Sequence, residues 1–163
     1  MTETFLPSLF ATLDPTTRRL RLPREQEVII NDTVGFIRDL PPDLLSAFRS
    51  TLEEIAGSRL LLHVVDAGNP RWQQQISSVD RILTELEFDR IPRLLVFNKA
   101  DMVDYATVES MVRHTSIQNG GECIAISALH PEPLGPLLQN IGQTLGRPVE
   151  KYRAPQLTTN VVQ

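Results

Sequence analysis

Lysine is nearly missing from this chain: of its 16 basic residues only Lys99 and Lys151 are lysines, and the rest are arginines. Neither follows a Gly-x-x-x-x-Gly run, so these 163 residues hold no glycine-rich loop whose backbone N–H groups and lysine would cradle a row of phosphates. A second cysteine is missing too. Cys123 therefore has no partner for an internal disulfide, and its apolar neighbours Ile124 and Ile126 predict a buried core thiol. No long apolar run and no signal-peptide pattern follows Met1, which leaves the cytoplasm as the expected location. Nothing repeats, and a net charge of −4 excludes a globally basic nucleic-acid binder while leaving local basic patches open. What is present is ordinary for a globular protein, with 41% hydrophobic and 22% charged residues. The length fits one domain with a sizeable core.

The most informative stretch is Leu94-Leu95-Val96-Phe97-Asn98-Lys99-Ala100-Asp101. Four apolar residues stop abruptly in amide, ammonium and carboxylate, which reads as a buried strand delivering polar side chains to the carboxyl edge of a parallel sheet. That trio suits a guanine. Guanine presents adjacent N1–H and N2–H donors that one carboxylate, Asp101, can accept together; adenine has an acceptor where guanine has N1–H and would leave the charge unpaired. The Lys99 stem can lie over the base, and Asn98 can brace the loop and reach the base edge. An Asn-Lys turn after an ordinary strand is the plain alternative, and four residues alone leave both readings open.

Along the chain, Met1 to Leu9 shows no clear period. The hydroxyl-rich run from Phe10 to Arg19, with Pro15 inside it, predicts either a loop that orders around a ligand or a capped surface turn. A short alternation from Arg19 to Leu22, a turn at Pro23 to Gln26 and the β-branched run Glu27 to Asn31 predict a hairpin. Its second strand ends in Asp32-Thr33-Val34-Gly35. There Asp32 could hold Mg²⁺ through water, and Gly35 could let its N–H approach a terminal phosphate. A strand-ending Asp before a turn Gly is the plainer reading.

Pro41-Pro42-Asp43 opens a helix with Leu44, Leu45, Phe48, Leu52 and Ile55 at helical spacing and Gly57 as its stop. Leu60 to Asp66 predicts a second buried strand, with His63 a core or sheet-face histidine, and Asp66 to Pro70 a loop. Trp72, Ile76, Val79, Leu83 and Leu86 form a core stripe on the next helix. After the strand carrying Asn98, a helix runs through Tyr105, Val108, Met111 and Val112 to Asn119-Gly120-Gly121. Glu122 to Ile126 is a strand leading into Ser127-Ala128-Leu129, where a backbone N–H could donate to guanine O6. Leu134, Leu137, Leu138, Ile141 and Leu145 mark the last amphipathic helix. His114 and His130 sit in polar surroundings and are expected to be exposed. The expected organisation is a partial domain over 1–146 and a polar tail over 147–163.

Asp-x-x-Gly, Asn-Lys-x-Asp and Ser-Ala-Leu, in this order after three strand ends, resemble a translation-factor-type GTPase. Phe-Ala-Thr-Leu-Asp-Pro-Thr-Thr-Arg followed by Asp-Thr-Val-Gly-Phe-Ile-Arg-Asp-Leu-Pro resembles the G domain of the HflX family, and the likeness runs from about Leu9 to about Leu145. The resemblance implies an α/β, three-layer P-loop GTPase-like G domain with a mostly parallel sheet, binding GTP or GDP with Mg²⁺ and acting with the large ribosomal subunit. It implies a nucleotide site of Phe10, Ala11, Thr12, Leu13 and Asp14 in switch I and Asp32, Thr33, Val34 and Gly35 in switch II. Asn98, Lys99, Ala100 and Asp101 would read the base, with Ser127, Ala128 and Leu129 beside it. Thr12 would ligate Mg²⁺ and Asp32 would hold it through water.

Two departures bear on activity. Phe36 stands where many small GTPases carry a water-orienting glutamine, as is typical of HflX-like proteins, so hydrolysis needs another route. The phosphate-binding loop, which in the family precedes switch I together with the first strand and first helix, is expected to be absent. In the family's sheet order, 2-3-1-4-5-6, that strand lies between the strands ending at Asp32 and Asp66. At about 1.5 to 3 kcal/mol per buried apolar side chain, its loss is comparable with the roughly 5 to 15 kcal/mol net stability of a domain. The expectation is a marginal fold, a closed gap with altered pairing, or a complementing N-terminal polypeptide. The alternative function is a GTPase remnant or binding module that hydrolyses nothing.

Overall fold

The structure is a computed structural model and describes residues 16–23, 26–32, 55–130, 134–146 and 158–162. Six strands form one sheet in the order β1-β2-β6-β3-β4-β5: β1 Thr16–Arg21, β2 Glu27–Asp32, β3 Leu60–Asp66, β4 Arg93–Asn98, β5 Glu122–Ala125 and β6 Thr158–Val162. β1 pairs antiparallel with β2, and every other pairing is parallel. The α-helices that lie wholly within the described residues, α1 Trp72–Glu85, α2 Tyr105–Asn119 and α3 Leu134–Gly146, complete the α/β architecture that the sequence predicts.

Strand alternation sends successive side chains to opposite faces, which explains why the apolar runs of β3 and β4 need helices on both sides. Leu60, Leu62, Leu94 and Val96 cluster with Ile141 and Leu145 of α3 and with Leu22 and Val28 of the hairpin. On the other face Val65, Leu95 and Phe97 pack with Ile76 of α1 and Met111 of α2, and Leu61 packs with Ile55, Val79 and Leu83. Trp72, at the start of α1, meets the Phe97 ring edge-to-face at 5.2 Å between centroids, a favoured aromatic geometry. Phe97 is fully buried and directly precedes Asn98, so the core fixes where the polar stop emerges.

Several elements differ from the sequence expectation. The hairpin starts at Thr16, inside the stretch expected to be loop, because Thr17 sits opposite Asn31 and its Oγ1 donates to Asn31 Oδ1 at 2.9 Å. Tyr105 begins α2 but is exposed, so the inward side is formed by Met111 and Thr115, with Val108 and Val112 partly covered. α2 ends at Gly120 with φ +60°, a left-handed cap that glycine adopts without strain. His63 is a core histidine, as expected, yet its buried Nδ1 has no hydrogen-bond partner among the described residues. Burial, then the charge of Arg93, lowers its pKa to about 3, so the ring is neutral at physiological pH.

The largest difference lies at the end of the chain. Thr158–Val162, within the stretch expected to be a polar tail, is strand β6. It pairs through Thr158–Val161 with Ile29–Asp32 of β2 and through Thr159–Val162 with Leu60–His63 of β3. The gap expected between those two strands is thus filled by the chain's own C-terminal segment. Unpaired backbone groups of two facing strand edges provide the physical reason. The predicted switch I residues Phe10, Ala11, Thr12, Leu13 and Asp14, the switch II residues Thr33, Val34 and Gly35, and most of the helix predicted after Pro41 lie outside the described residues.

Candidate functional site

The carboxyl ends of β3, β4 and β5 converge on one corner. Beyond β4 the chain stays tied to its neighbours: Ala67 N–H donates to the Asn98 carbonyl at 2.8 Å, Ile126 N–H to the Phe97 carbonyl at 2.8 Å, and Ala100 N–H to the Ile126 carbonyl at 3.0 Å. Asn98 is the brace. Its Oδ1 accepts from Lys99 N–H at 2.8 Å and from Ala128 N–H at 3.0 Å, which joins the loop after β4 to the loop after β5. Lys99 takes the left-handed conformation, φ 60°, uncommon for a residue with a side chain and a mark of functional loops when the surroundings enforce it.

Asp101 lies on the short 3-10 turn Ala100–Met102 and is exposed. Its carboxyl titrates below the ordinary aspartate value, first because of the neighbouring Ser127 hydroxyl, against a smaller opposing effect of burial, and then because of its own backbone N–H, His130 and Lys99. The carboxylate is ionised and free to accept. Ser127 is buried while Ala128 and Leu129 are exposed, and the Ser127 Oγ closes no hydrogen bond of ordinary length and angle. It therefore acts on Asp101 as a nearby dipole. Asp104 N-caps α2 by accepting from Thr107 N–H at 2.9 Å, which holds the helix start; the Thr107 side chain first, and then that N–H, keep the Asp104 carboxyl below the usual range.

Sequence reasoning missed Asp66. Its Oδ2 pairs with Lys99 Nζ at 2.6 Å and its Oδ1 accepts from Gly68 N–H at 2.9 Å. The signal was present: Asp66 ends β3 just as Asn98 ends β4, and the two are register partners. Asp32 ends β2, opposite Val161 of β6, so one strand separates it from Asp66 and two separate it from Asn98. By register Asp32 is level with Leu62 and Leu94, four residues short of Asp66 and Asn98, so at about 4.8 Å per strand and 3.3 Å per residue it lies roughly 20 Å from Asn98. A single hard oxygen donor at a strand end fits Mg²⁺, which keeps most of its water; among the described residues no group of three or more His, Cys, Asp or Glu could hold a metal.

At the opposite, amino end of the sheet lies a cavity of about 390 Å³ lined in part by Asp80, Arg93, Thr115 and Cys123. Cys123 is only partly buried, and burial raises its thiol pKa to about 12, so it is inert. No helix among the described residues is long and apolar enough to cross a membrane.

Comparison with known proteins shows the family. Residues 5–99 match the family model described as 50S ribosome-binding GTPase. The chain belongs to that family. It is 44% identical over 146 residues to the GTPase HflX of Alkalihalophilus pseudofirmus, covering 90% of this chain and 33% of that protein. To the GTPase HflX of Caldanaerobacter subterraneus it is 52% identical over 96 residues, covering 59% of this chain and 22% of that protein. The chain therefore spans about a third or less of the curated relatives it matches, and the HflX resemblance is borne out over that part. Among solved structures, a GTP-binding protein from Sulfolobus solfataricus in complex with GDP superposes with a TM-score of 0.69 at 29% identity, over 85% of this chain and 46% of that one.

Proposed function

We propose that this chain is the guanine-reading portion of an HflX-like GTPase that binds GTP or GDP with Mg²⁺ and works with the large ribosomal subunit in the cytoplasm. The observation that carries the reading is the Asn98 brace: one amide oxygen ties Lys99 N–H to Ala128 N–H, which sets the two loops side by side and leaves the ionised Asp101 carboxylate facing out. Asp101 accepts guanine N1–H and N2–H, the Lys99 stem covers the base, and an N–H of the Ser127-Ala128-Leu129 turn meets O6. Of those N–H groups Ala128's already donates to Asn98, which leaves those of Ser127 and Leu129 for the base.

Toward the phosphates, Asp32 would hold Mg²⁺ through water. Thr12 would ligate the ion, and Phe10, Ala11, Leu13, Asp14, Thr33, Val34 and Gly35 would line the switches. Mg²⁺, when bound, supplies charge neutralisation at the terminal phosphate. Residues 1–146 form the G-domain portion, with β6 added from the segment behind it.

A second reading, binding without hydrolysis, is favoured by one observation: no Gly-x-x-x-x-Gly-Lys-[Ser/Thr] occurs in these residues. Titration of the purified chain with a fluorescent GDP analogue and Mg²⁺, with ATP as competitor, tests binding. Saturation near micromolar, about −8 kcal/mol, resistant to excess ATP supports it. Loss of signal to ATP and GDP alike, or no saturation by a folded chain, overturns it. Phosphate release with and without isolated large subunits then separates the two readings.

A further inference from the structure

The cavity of about 390 Å³ lies where the second half of α1, the turn after it and the second half of α2 meet the amino ends of β4 and β5. Protein interiors hold few voids larger than a water molecule, and a space of this size is within the range of small-molecule sites. It is separate from the guanine corner: roughly 16 Å of β4, at about 3.3 Å per residue, lies between Arg93 and Asn98. Its lining is layered. Thr84, Asp89 and Arg90 are exposed at the mouth, and Leu83, Leu95 and Thr115 are buried at the floor. The inner charges are already engaged, since Arg93 pairs with Asp80 and Glu122 accepts from Thr144 Oγ1 at 3.2 Å. Asp89 and Arg90 are adjacent and of opposite sign, so the mouth selects no charge. A charged guest would lose its water there without gaining a counter-ion.

One buried polar group of the floor remains open. Thr115 is 3% exposed, and its Oγ1 has no hydrogen-bond partner among the described residues. A helical hydroxyl has a local option, the carbonyl four residues back. Ser77, Ser78, Thr84 and Thr144 all take it, and Thr115 does not. Its hydroxyl is left to the cavity that it lines, where a guest can complete it.

We propose that this cavity is a second binding site, and that it takes an uncharged, mainly apolar ring compound carrying one hydroxyl or carbonyl group. The ring packs on Leu83, Phe88, Ile91 and Leu95, and its polar group shares a hydrogen bond with Thr115 Oγ1. A buried polar group that one guest completes and another leaves unpaired discriminates strongly between the two. The site stands on α1, α2, β4 and β5 alone and does not depend on the guanine reading.

The test uses the full chain without nucleotide, so its outcome is separate from the nucleotide titration. Amide chemical shifts are followed by NMR as 2-naphthol is added, with naphthalene and 2-naphthalenesulfonate as controls. 2-Naphthol should saturate with a Kd below about 1 mM, and the shifts should be largest at Leu83, Phe88, Ile91, Thr115 and Cys123. The sulfonate should bind at least tenfold more weakly and naphthalene at least fivefold. Thr115→Val replaces an unpartnered hydroxyl by a methyl group of similar size, so the chain should keep its fold with Tm unchanged or raised. That variant should weaken 2-naphthol at least fivefold and leave the response to naphthalene as it was. Shifts centred elsewhere, no saturation, or a sulfonate that binds as well as 2-naphthol would each overturn the proposal. So would undiminished 2-naphthol affinity in Thr115→Val, or a lowered Tm, which would mean that a bound water already serves the hydroxyl.

Discussion

His63 shows how a single side chain sets the pH range of the fold. Its folded pKa is near 3 and its unfolded value near 6.5, so between those values the unfolded chain binds more protons and stability rises with pH. Lowering the pH from 6.5 to 5 is expected to cost about 2 kcal/mol through this residue. Urea unfolding of the wild type and a His63→Leu variant across that range should show the slope in the first and its loss in the second. Asp66 and Lys99 behave differently: both are well exposed, so their pair adds under about 1 kcal/mol. An Asp66→Asn chain should melt within a few degrees of wild type, which a thermal scan checks.

At the scale of elements, α2 and α3 make opposite predictions about glycine. Gly120 holds φ +60° beyond the last turn of α2, and Gly120→Ala is expected to cost about 1 kcal/mol. Gly142 lies inside α3, where a Cβ meets Leu22 Cδ1 at 4.0 Å, an ordinary contact; Gly142→Ala is expected to stabilise by about 0.5 to 1 kcal/mol. Denaturant midpoints of the two variants should move in opposite directions. Phe97→Ala removes the ring that Trp72 packs on and should cost about 3 to 5 kcal/mol, measured the same way.

β3, β4 and the corner they build were legible in the sequence because an apolar run followed by a polar stop is a local signal. β6 was not. Thr158-Thr159-Asn160 has the composition of a tail, and only two strands more than a hundred positions away in part, β2 and β3, make it a strand. The Asp66–Lys99 pair was hidden for a similar reason: 33 positions separate its partners, and only the β3–β4 register brings them together.

Across the whole molecule the sheet divides labour along its carboxyl edge. We propose the β4 and β5 end as the carrier of the guanine-reading loops and the β2 end, through Asp32, as the place for Mg²⁺. β6 lies between those two ends, next to β3. The central claim is that Asp101 selects the base through two accepted hydrogen bonds. Xanthine offers a donor and an acceptor where guanine offers two donors, and an amide matches that pair. The most direct measurement is therefore competition of GDP and XDP for the Asp101→Asn chain against the wild type, each with Mg²⁺. The wild type should prefer GDP and Asp101→Asn should prefer XDP, each by at least tenfold. An Asp101→Asn chain that keeps the wild-type preference for GDP would contradict the assignment.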